Sequence, residues 1–478
     1  MKPTAVVLEL FILLSASLYG QSGSINNTLG TGGTFTIKDA SNTFLTLNHG
    51  SLLLSGTTGT TPTSGPGTRL MWIPAKGAFR AGVVNGTYWD DANDGYYSTA
   101  MGYNTMASSG SSTAMGYSTT ANAFASTAMG YSTTASGYAS TAMGDGTTAN
   151  ASFSTAMGNG TTARNFASTA MGNGTTASGY ASTAMGGGTF AGYDFSTAMG
   201  VATQSYGTAS TAMGDSTSAS AFASTAMGYH TIASYDCSTA MGYHTTASNV
   251  GSTAMGAYTT ASGPYSTALG YYTQANGQSS TVMGTYAVDN GYAGCLVIGD
   301  ASAGGYLGPH GNSQFMAAFA NGYTLYTTRM WNQGVYMNGG TSGWTNISDR
   351  NEKENFRPID GEELLQKIRS MSITEWNYKH SDPSIKYIGP VAQDFYAAFH
   401  LGGKDSLGIN TICIDGVNMA GVQALEKRTA ELREKTAELE VLKSEIADLK
   451  ARVARLEQAL SVSKDFTQRV SDETGRQR

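Results

Sequence analysis

Residues 112–139 read STAMGYSTTANAFA followed by STAMGYSTTASGYA, which are two consecutive copies of one 14-residue unit. The string Ser-Thr-Ala-Met-Gly first occurs at Ser98 and returns with a constant period, ending as STALG from Ser266 and STVMG from Ser280. Fourteen copies therefore fill residues 98–284 without an insertion or a deletion. A fixed period of this kind is typical of stacked coils, so we expect an elongated, repeat-built protein and not a globular enzyme.

The composition of each unit predicts two short strands and two turns. Thr, Ser, Tyr and Gly disfavour a helix. Along Ser-Thr-Ala-Met the residues alternate, which places Thr and Met on one face and Ser and Ala on the other. The Gly that follows is present in all fourteen copies, from Gly102 to Gly284, and indicates a turn with positive φ or no room for a Cβ atom. A second strand is expected at segments such as Tyr117–Ala121, so each unit is one coil of a parallel β-solenoid, or β-roll.

Two ladders of side chains leave alternatives open. Thirteen Met and one Leu (Leu269) form an apolar stripe that we expect to contact identical chains, although they could instead fill the interior of the coil. Thr recurs once in every unit from Thr105 to Thr273. If exposed and flat, this ladder would suit ice binding; the alternative is an ordinary strand position with stacked hydroxyls.

Charge and cysteine content exclude several classes of function. The net charge is −6, so no basic surface for nucleic acid is expected. Residues 98–284 contain four Asp, one Arg and neither Lys nor Glu, which argues against the paired carboxylates of a glycan-degrading enzyme. The three cysteines are far apart, which argues against a disulfide framework or a Cys metal site. No metal or cofactor is expected.

The regions on either side of the repeats differ in character. Residues 1–20 resemble a secretory signal peptide, so the product is expected to be secreted or on the cell surface, without a transmembrane segment in the mature chain. Short alternating stretches predict a β-rich N-terminal region at 21–97 and a β-rich neck at 291–347, on either side of a head at 98–290. The segment 348–478 carries most of the Lys, Arg and Glu.

The repeats resemble a known family. Their pattern S-x-A-x-G-x-x-[ST]-x-A-x-G is similar to the head repeat of trimeric autotransporter adhesins, the YadA-like head. This resemblance implies a left-handed parallel β-roll, and three rolls packed as a homotrimer that binds a surface receptor or matrix ligand. Ligand contacts are expected at variable positions such as Tyr180, Phe195, His230 and His244. The sequence lacks that family's C-terminal membrane anchor domain, so its mode of attachment does not carry over.

Residues after Trp344 resemble a second family. Ser348-Asp349 with Lys353, Trp376-Asn-Tyr378 and Gly389-Pro-Val-Ala-Gln-Asp394 occur in the order found in the C-terminal intramolecular chaperone of phage endosialidase tail spikes. The resemblance implies a small α+β domain at 348–420 that assists trimer assembly and then cleaves itself off as a serine peptidase. It implies that Ser348 is the nucleophile, Lys353 the general base and Ile347–Ser348 the scissile bond. Spacing alone does not pair them, because two residues five positions apart on a helix differ by about 140°; a turn and a buried Lys are needed.

The C-terminal segment predicts a coiled coil at 421–465 and a disordered tail at 466–478. Apolar residues with 3,4 spacing include Leu439, Leu442, Ile446, Leu449 and Val453. This spacing implies partner helices but does not fix their number. We therefore expect a trimeric adhesin-like fibre that releases its own chaperone. The alternatives are an ice-binding or purely structural solenoid, or a phage-derived tail fibre that binds a receptor.

Overall fold

A computed structural model describes residues 33–38, 43–48, 51–300, 306–402 and 406–476. The chain divides into two compact units, one ending at Asn321 and the other beginning at Gly322. The expected signal peptide, residues 1–20, lies outside the described residues.

Among the described residues, five strands precede the repeats. Strands β1 (Phe35–Lys38), β2 (Thr43–Asn48) and β3 (Ser51–Leu54) form an antiparallel sheet. Strands β4 (Gly67–Ile73) and β5 (Ala78–Val84) form an antiparallel hairpin, and β5 pairs in parallel with the first repeat. A short 3-10 helix at Asp91–Asn93 then leads into the first coil.

The repeats form a parallel β-solenoid, as the sequence predicts. Each of the first thirteen coils has one long and one short strand, and the fourteenth has the long strand alone among the described strands. Equivalent residues pair in register, for example Met129 with Met143. The long strands are Thr99–Tyr103, Thr113–Tyr117, Thr127–Tyr131, Thr141–Asp145, Thr155–Asn159, Thr169–Asn173, Thr183–Gly187, Thr197–Val201, Thr211–Asp215, Thr225–Tyr229, Thr239–Tyr243, Thr253–Ala257, Thr267–Tyr271 and Thr281–Thr285. The short strands are Met106–Ala107, Thr120–Ala121, Thr134–Ala135, Thr148–Ala149, Thr162–Ala163, Thr176–Ala177, Phe190–Ala191, Gln204–Ser205, Ser218–Ala219, Ile232–Ala233, Thr246–Ala247, Thr260–Ala261 and Gln274–Ala275.

Small side chains fill the interior of the solenoid. In the first coil Ser98, Ala100, Thr105 and Ala107 are buried, and nearly all their equivalents in later coils are too. The Met side chains lie on the outer surface of the long sheet, where Met101 is 37% exposed. The alternative in which Met fills the coil is therefore wrong, because the space between the two sheets holds Ala, Ser and Thr, with Val282 at the Ala position of the last coil.

The Thr ladder that begins at Thr105 is buried, so the ice-binding interpretation of this ladder is wrong. Thirteen of these side chains, one per coil as far as Thr273, have a hydroxyl without a hydrogen-bond partner in the described structure. Successive coils are about 4.8 Å apart, which exceeds hydrogen-bonding distance, so the stacked hydroxyls do not pair with one another. The alternative prediction, that the stacked Thr hydroxyls satisfy one another by hydrogen bonds, is therefore also wrong.

The Gly of each repeat has both properties that the sequence suggested. At Gly116 φ is +120°, a value that L-residues rarely adopt. A Cβ atom there would lie 2.1 Å from the carbonyl oxygen of Gly130 in the next coil. Glycine is therefore required because the backbones of adjacent coils meet at this point.

Buried charged side chains lie at both ends of the 14-residue repeats. Arg80 and Asp94 are fully buried and form an ion pair of 2.8 Å beneath the first coil. The Arg80 side chain also donates to the carbonyl oxygens of Phe79, Ser98 and Ala107, at 2.9 to 3.2 Å, and to Ser98 Oγ. At the last coil the buried carboxylate of Asp289 accepts from the backbone N–H groups of residues 276, 277 and 291.

The long sheet continues beyond the repeats. Strands Leu296–Gly299 and Phe315–Ala318 add to it in parallel. The long sheet thus extends past the expected boundary at residue 290, because it retains its pairing after the 14-residue period is lost. The boundary between the two compact units falls after Asn321, within the segment that was expected to be a neck.

The second unit is α+β. It begins with an antiparallel sheet of Gly322–Tyr326, Gly334–Asn338 and Thr345–Asn346, followed by a 3-10 helix at Arg350–Glu352. Helix α1 (Gly361–Ser370), a two-stranded sheet (Thr374–Trp376 and Tyr387–Gly389), helix α2 (Ala392–Phe399) and helix α3 (Thr411–Gly475) complete it. Its core contains Leu364 and Phe395 from the short helices and Val417 from α3.

Helix α3 is longer than the sequence analysis predicts. It begins at Thr411, where the Asn410 side chain accepts from the N–H of Ile412 at 2.8 Å, and it ends at Gly475. Residues 466–475 are helical and not disordered, since the segment contains no Pro and no Gly before its last residue. None of the described helices is long and apolar enough to span a membrane.

Candidate cleavage site

The segment that contains Ile347 and Ser348 is held against a β-hairpin. It follows the edge strand Thr345–Asn346, and the Ile347 N–H donates to the Gly334 carbonyl at 3.0 Å. The backbone on the amino side of Ser348 is thereby fixed by main-chain hydrogen bonds. A carbonyl held in this way is presented in one orientation to any neighbouring nucleophile.

A tight turn then brings Lys353 back to Ser348. The Asp349 side chain accepts from the Asn351 N–H at 2.8 Å and so begins the 3-10 helix Arg350–Glu352. The Lys353 N–H donates to the Arg350 carbonyl at 3.2 Å, and its Nζ donates to Ser348 Oγ. The structure thus has the turn that a Ser–Lys pair at this spacing requires.

Both side chains of this pair are exposed in the single chain. The burial that a Ser–Lys pair requires of its lysine is absent, because the turn lies on the surface of the second unit and its neighbours Asp349 and Glu352 are exposed carboxylates. The Lys353 side chain is therefore in contact with solvent, and its Nζ donates the hydrogen bond to Ser348 Oγ.

An open cleft of about 370 Å³ lies beside the pair. Its walls come from the hairpin, the turn and the start of helix α3, including Gln333, Val335, Asn410 and Ile412. The hairpin and the turn are joined by Asn332, whose Nδ2 donates to Glu352 Oε2 at 2.6 Å while its Oδ1 accepts from Thr328 Oγ1 at 2.8 Å.

Sequence reasoning missed Asn332 and Asn410. Asn332 is distant from Glu352 in the sequence, and no spacing rule connects them; the Asn410 position before a long helix is an N-cap signal that could have been recognised.

Elsewhere, His230 and His244 stack with ring centroids 4.9 Å apart. No group of three or more potential metal ligands occurs among the residues that the structure describes.

Family models match both parts of the chain. Residues 348–403 match the chaperone of endosialidase, and this match starts at Ser348 itself. The YadA head domain repeat (two copies) matches residues 94–119, 121–147, 135–161, 163–189, 194–217, 238–259 and 261–287. No curated protein matches the chain. The fold and these matches define an adhesin-like or tail-fibre-like protein. More particularly, it is a chain in which YadA head repeats precede an endosialidase-type chaperone segment.

Proposed function

We propose that this protein is a secreted or surface-exposed homotrimeric fibre whose C-terminal segment is an intramolecular trimerisation chaperone that is released by cleavage at Ile347–Ser348. The contact between Lys353 Nζ and Ser348 Oγ carries this proposal, because it lies at the first residue of the chaperone match. The β-roll is the part that persists after release and presents the binding surface.

The cleavage step uses Ser348, Lys353 and one water molecule. Neutral Lys353 accepts the hydroxyl proton of Ser348, and Oγ attacks the carbonyl carbon of Ile347. The C–N bond to Ser348 breaks as Lys353 returns the proton to the departing amine, which leaves an ester between Ile347 and Ser348 Oγ. One water molecule hydrolyses the ester to the Ile347 carboxylate and the free Ser348 hydroxyl.

This reaction needs a neutral Lys353, which a solvated side chain does not provide at pH 7. Assembly supplies the missing condition in our proposal, since a partner chain that covers the exposed turn would desolvate the ammonium and favour the neutral amine. Cleavage then follows assembly and does not precede it.

The size of the released fragment tests cleavage. On a denaturing gel of purified protein we expect a fragment that begins at Ser348 and ends at Arg478. Ser348→Ala and Lys353→Met should remain full length, whereas Ser342→Ala, a matched change at an exposed serine of the preceding loop, should cleave normally. A wild-type chain that stays intact, or a Ser348→Ala chain that is still cut, would sink the proposal.

The positioning role of Asn332 gives a finer test. Asn332→Ala removes the 2.6 Å hydrogen bond to Glu352 and should slow cleavage of a trimer that still assembles. Asn332→Asp is the stricter variant, because it places a carboxylate against Glu352. Unchanged cleavage rates in both variants would assign Asn332 no part in holding the turn.

The trimer is tested through helix α3. Ile446 and Leu449 are 52% and 61% exposed on its apolar stripe, and apolar residues with heptad spacing require partner helices. Light scattering on the Ser348→Ala chain should give three times the chain mass, and Ile446→Asp with Leu449→Asp should reduce it. A monomeric Ser348→Ala chain would contradict the proposal.

A truncation without residues 1–20 tests secretion, because the shortened chain should stay inside the producing cell.

A further inference from the structure

Each coil of the solenoid has two exposed turns on opposite edges of the long sheet. We define the A turn as the two residues after the invariant Gly, such as Tyr131-Ser132, and the B turn as the three residues before the next coil's Ser, such as Gly137-Tyr138-Ala139. Coils are numbered from the one that begins at Ser98. The residue types at these turns differ from coil to coil, whereas Ser, Ala, Met and Gly recur in nearly every coil. The sizes of the turn side chains can therefore distinguish one coil from another.

Aromatic rings occupy the A turn in the first three coils and in the last five coils, and they are absent from the A turn in the middle coils. His230, His244, Tyr258, Tyr272 and Tyr286 form one continuous stack with centroids 4.7 to 5.3 Å apart. In coils four to nine the A turn contains no ring. Its residues there are Asp145-Gly146, Asn159-Gly160, Asn173-Gly174, Gly187-Gly188, Val201-Ala202 and Asp215-Ser216.

The B turn has nearly the opposite pattern. A chain of rings with centroids 5.3 to 5.5 Å apart runs through coils two to seven, and all six are 40% to 58% exposed: Phe124, Tyr138, Phe153, Phe166, Tyr180 and Phe195. In coils eleven and thirteen the B turn has no ring, since it reads Asn249-Val250-Gly251 and Gly277-Gln278-Ser279.

Several of these rings occupy a backbone conformation that favours small residues. Phe195 and His230 have φ values of +59° and +51°, at positions where other coils have Ala, Ser or Gly. The left-handed conformation costs roughly 1–2 kcal/mol for an L-residue. Stacking between neighbouring coils of one chain offsets part of this cost. It does not explain why the rings lie on the A turn in some coils and on the B turn in others.

We propose that the A turns of one chain interlock with the B turns of a second copy at the same coil height. This inference rests on the homotrimer proposed above. Three flat sheets whose Met faces meet at a threefold axis must bring the A edge of each chain to the B edge of the next. Rotation about the axis adds no translation, so coil four meets coil four.

The side-chain sizes fit that pairing. In coils four to seven and in coil nine a ring of the B turn faces an A turn without a ring. In coils one, eleven and thirteen the ring is on the A turn and the B turn has none. In coils two, three, ten and twelve both turns carry a ring, which gives ring-to-ring contacts across the interface; coil eight has no ring at either turn. The Met–Thr face of the long sheet repeats identically in almost every coil, so within the surfaces that meet around the axis these two edges distinguish one coil from another.

Cross-linking through the natural Cys237 tests the interlock. Cys237 is an exposed, free thiol on the B turn of coil ten, and His230 is on the A turn of the same coil. In the full-length Ser348→Ala, Cys413→Ser chain, His230→Cys treated with a short bis-maleimide should yield covalent trimers. The matched control Gly174→Cys is on the A turn four coils away, about 19 Å at 4.8 Å per coil. It should yield little or none, and a Cβ at Gly174 meets no atom within 4 Å.

A size exchange within coil five provides a second measurement. Gly160→Phe adds a ring opposite Phe166 of the neighbouring chain and should lower the melting temperature of the trimer. Phe166→Ala in the same chain should restore it, because the ring and the gap are then exchanged. If light scattering shows a monomer, the homotrimer and the interlock both fail. A trimer in which His230→Cys and Gly174→Cys cross-link alike, or in which Phe166→Ala gives no rescue, overturns the interlock alone.

Discussion

Replacing Arg80 with Met removes every hydrogen bond of its guanidinium beneath the first coil and leaves the Asp94 carboxylate buried without its cation. All five N–H donors of the guanidinium are used, with Asp94 and with the oxygen atoms of Phe79, Ser98 and Ala107. Burial lowers the pKa of Arg80, an effect that the Asp94 charge opposes. Removing one partner of a buried pair costs about 3–5 kcal/mol. Replacing both partners by apolar residues is often close to neutral.

Native-state hydrogen exchange of the first coils measures this cost. Because a solenoid is held together by contacts between neighbouring coils, we expect Arg80→Met to speed exchange in residues 99–121 by about 100- to 4,000-fold, at about 1.4 kcal/mol per tenfold. Coils near residue 260 should be unaffected. The double variant with Asp94→Leu should recover most of the protection, and Lys76→Met, which breaks the more exposed Lys76–Asp91 pair, should change little. Unchanged exchange in the first coils, or equal acceleration along the whole solenoid, would refute this reasoning.

Three further predictions concern the coils themselves. Gly158→Ala should destabilise the head by more than about 4 kcal/mol in urea unfolding, because its Cβ would lie 2.0 Å from the next coil's carbonyl; Gly160→Ala, with open space at φ +60°, should cost only about 1 kcal/mol. Thr161→Val should raise the free energy of unfolding in urea by about 1 kcal/mol, since it removes a buried hydroxyl that has no partner, and a lower value would indicate a hidden partner. A hydrogen bond with Tyr243 raises the pKa of Tyr258 to about 12. Tyr243→Phe should therefore lower the pKa of one phenol towards its ordinary value in an absorbance titration. An unchanged titration would contradict a role for this hydrogen bond.

Much of the solenoid was predictable because its physics is local. The alternation in Ser-Thr-Ala-Met assigns faces to the long strand without knowledge of the rest of the chain, and the structure confirms that Ala100 points inward and Met101 outward. The strict Gly position likewise follows from the approach of neighbouring backbones.

The orientation of Thr105 was not predictable in the same way. It lies just before the second strand, and the turn that separates it from the long strand passes through Asn104 with φ +50°. One residue more or less in such a turn reverses which face is buried. Periodicity shows that the Thr ladder exists but does not show which side of the sheet it is on.

The candidate site was predictable only through the family resemblance. Nothing in the sequence spacing pairs Ser348 with Lys353, since the contact depends on the 3-10 turn that Asp349 begins. Asn332 comes from a hairpin loop that is distant in the sequence, and its role depends on tertiary structure. Spacing alone favours an exposed Lys353, and Lys353 is exposed in the structure.

The in-register coils and their separate end structures have a consequence for how such heads change in length. A 14-residue unit inserted at a coil boundary displaces every later residue by one coil and leaves the contacts within each coil as they were. Only the Arg80–Asp94 and Asp289 ends must stay in place, and three identical chains would all lengthen together. The length of the head is therefore open to adjustment in steps of about 4.8 Å by duplication or loss of one unit.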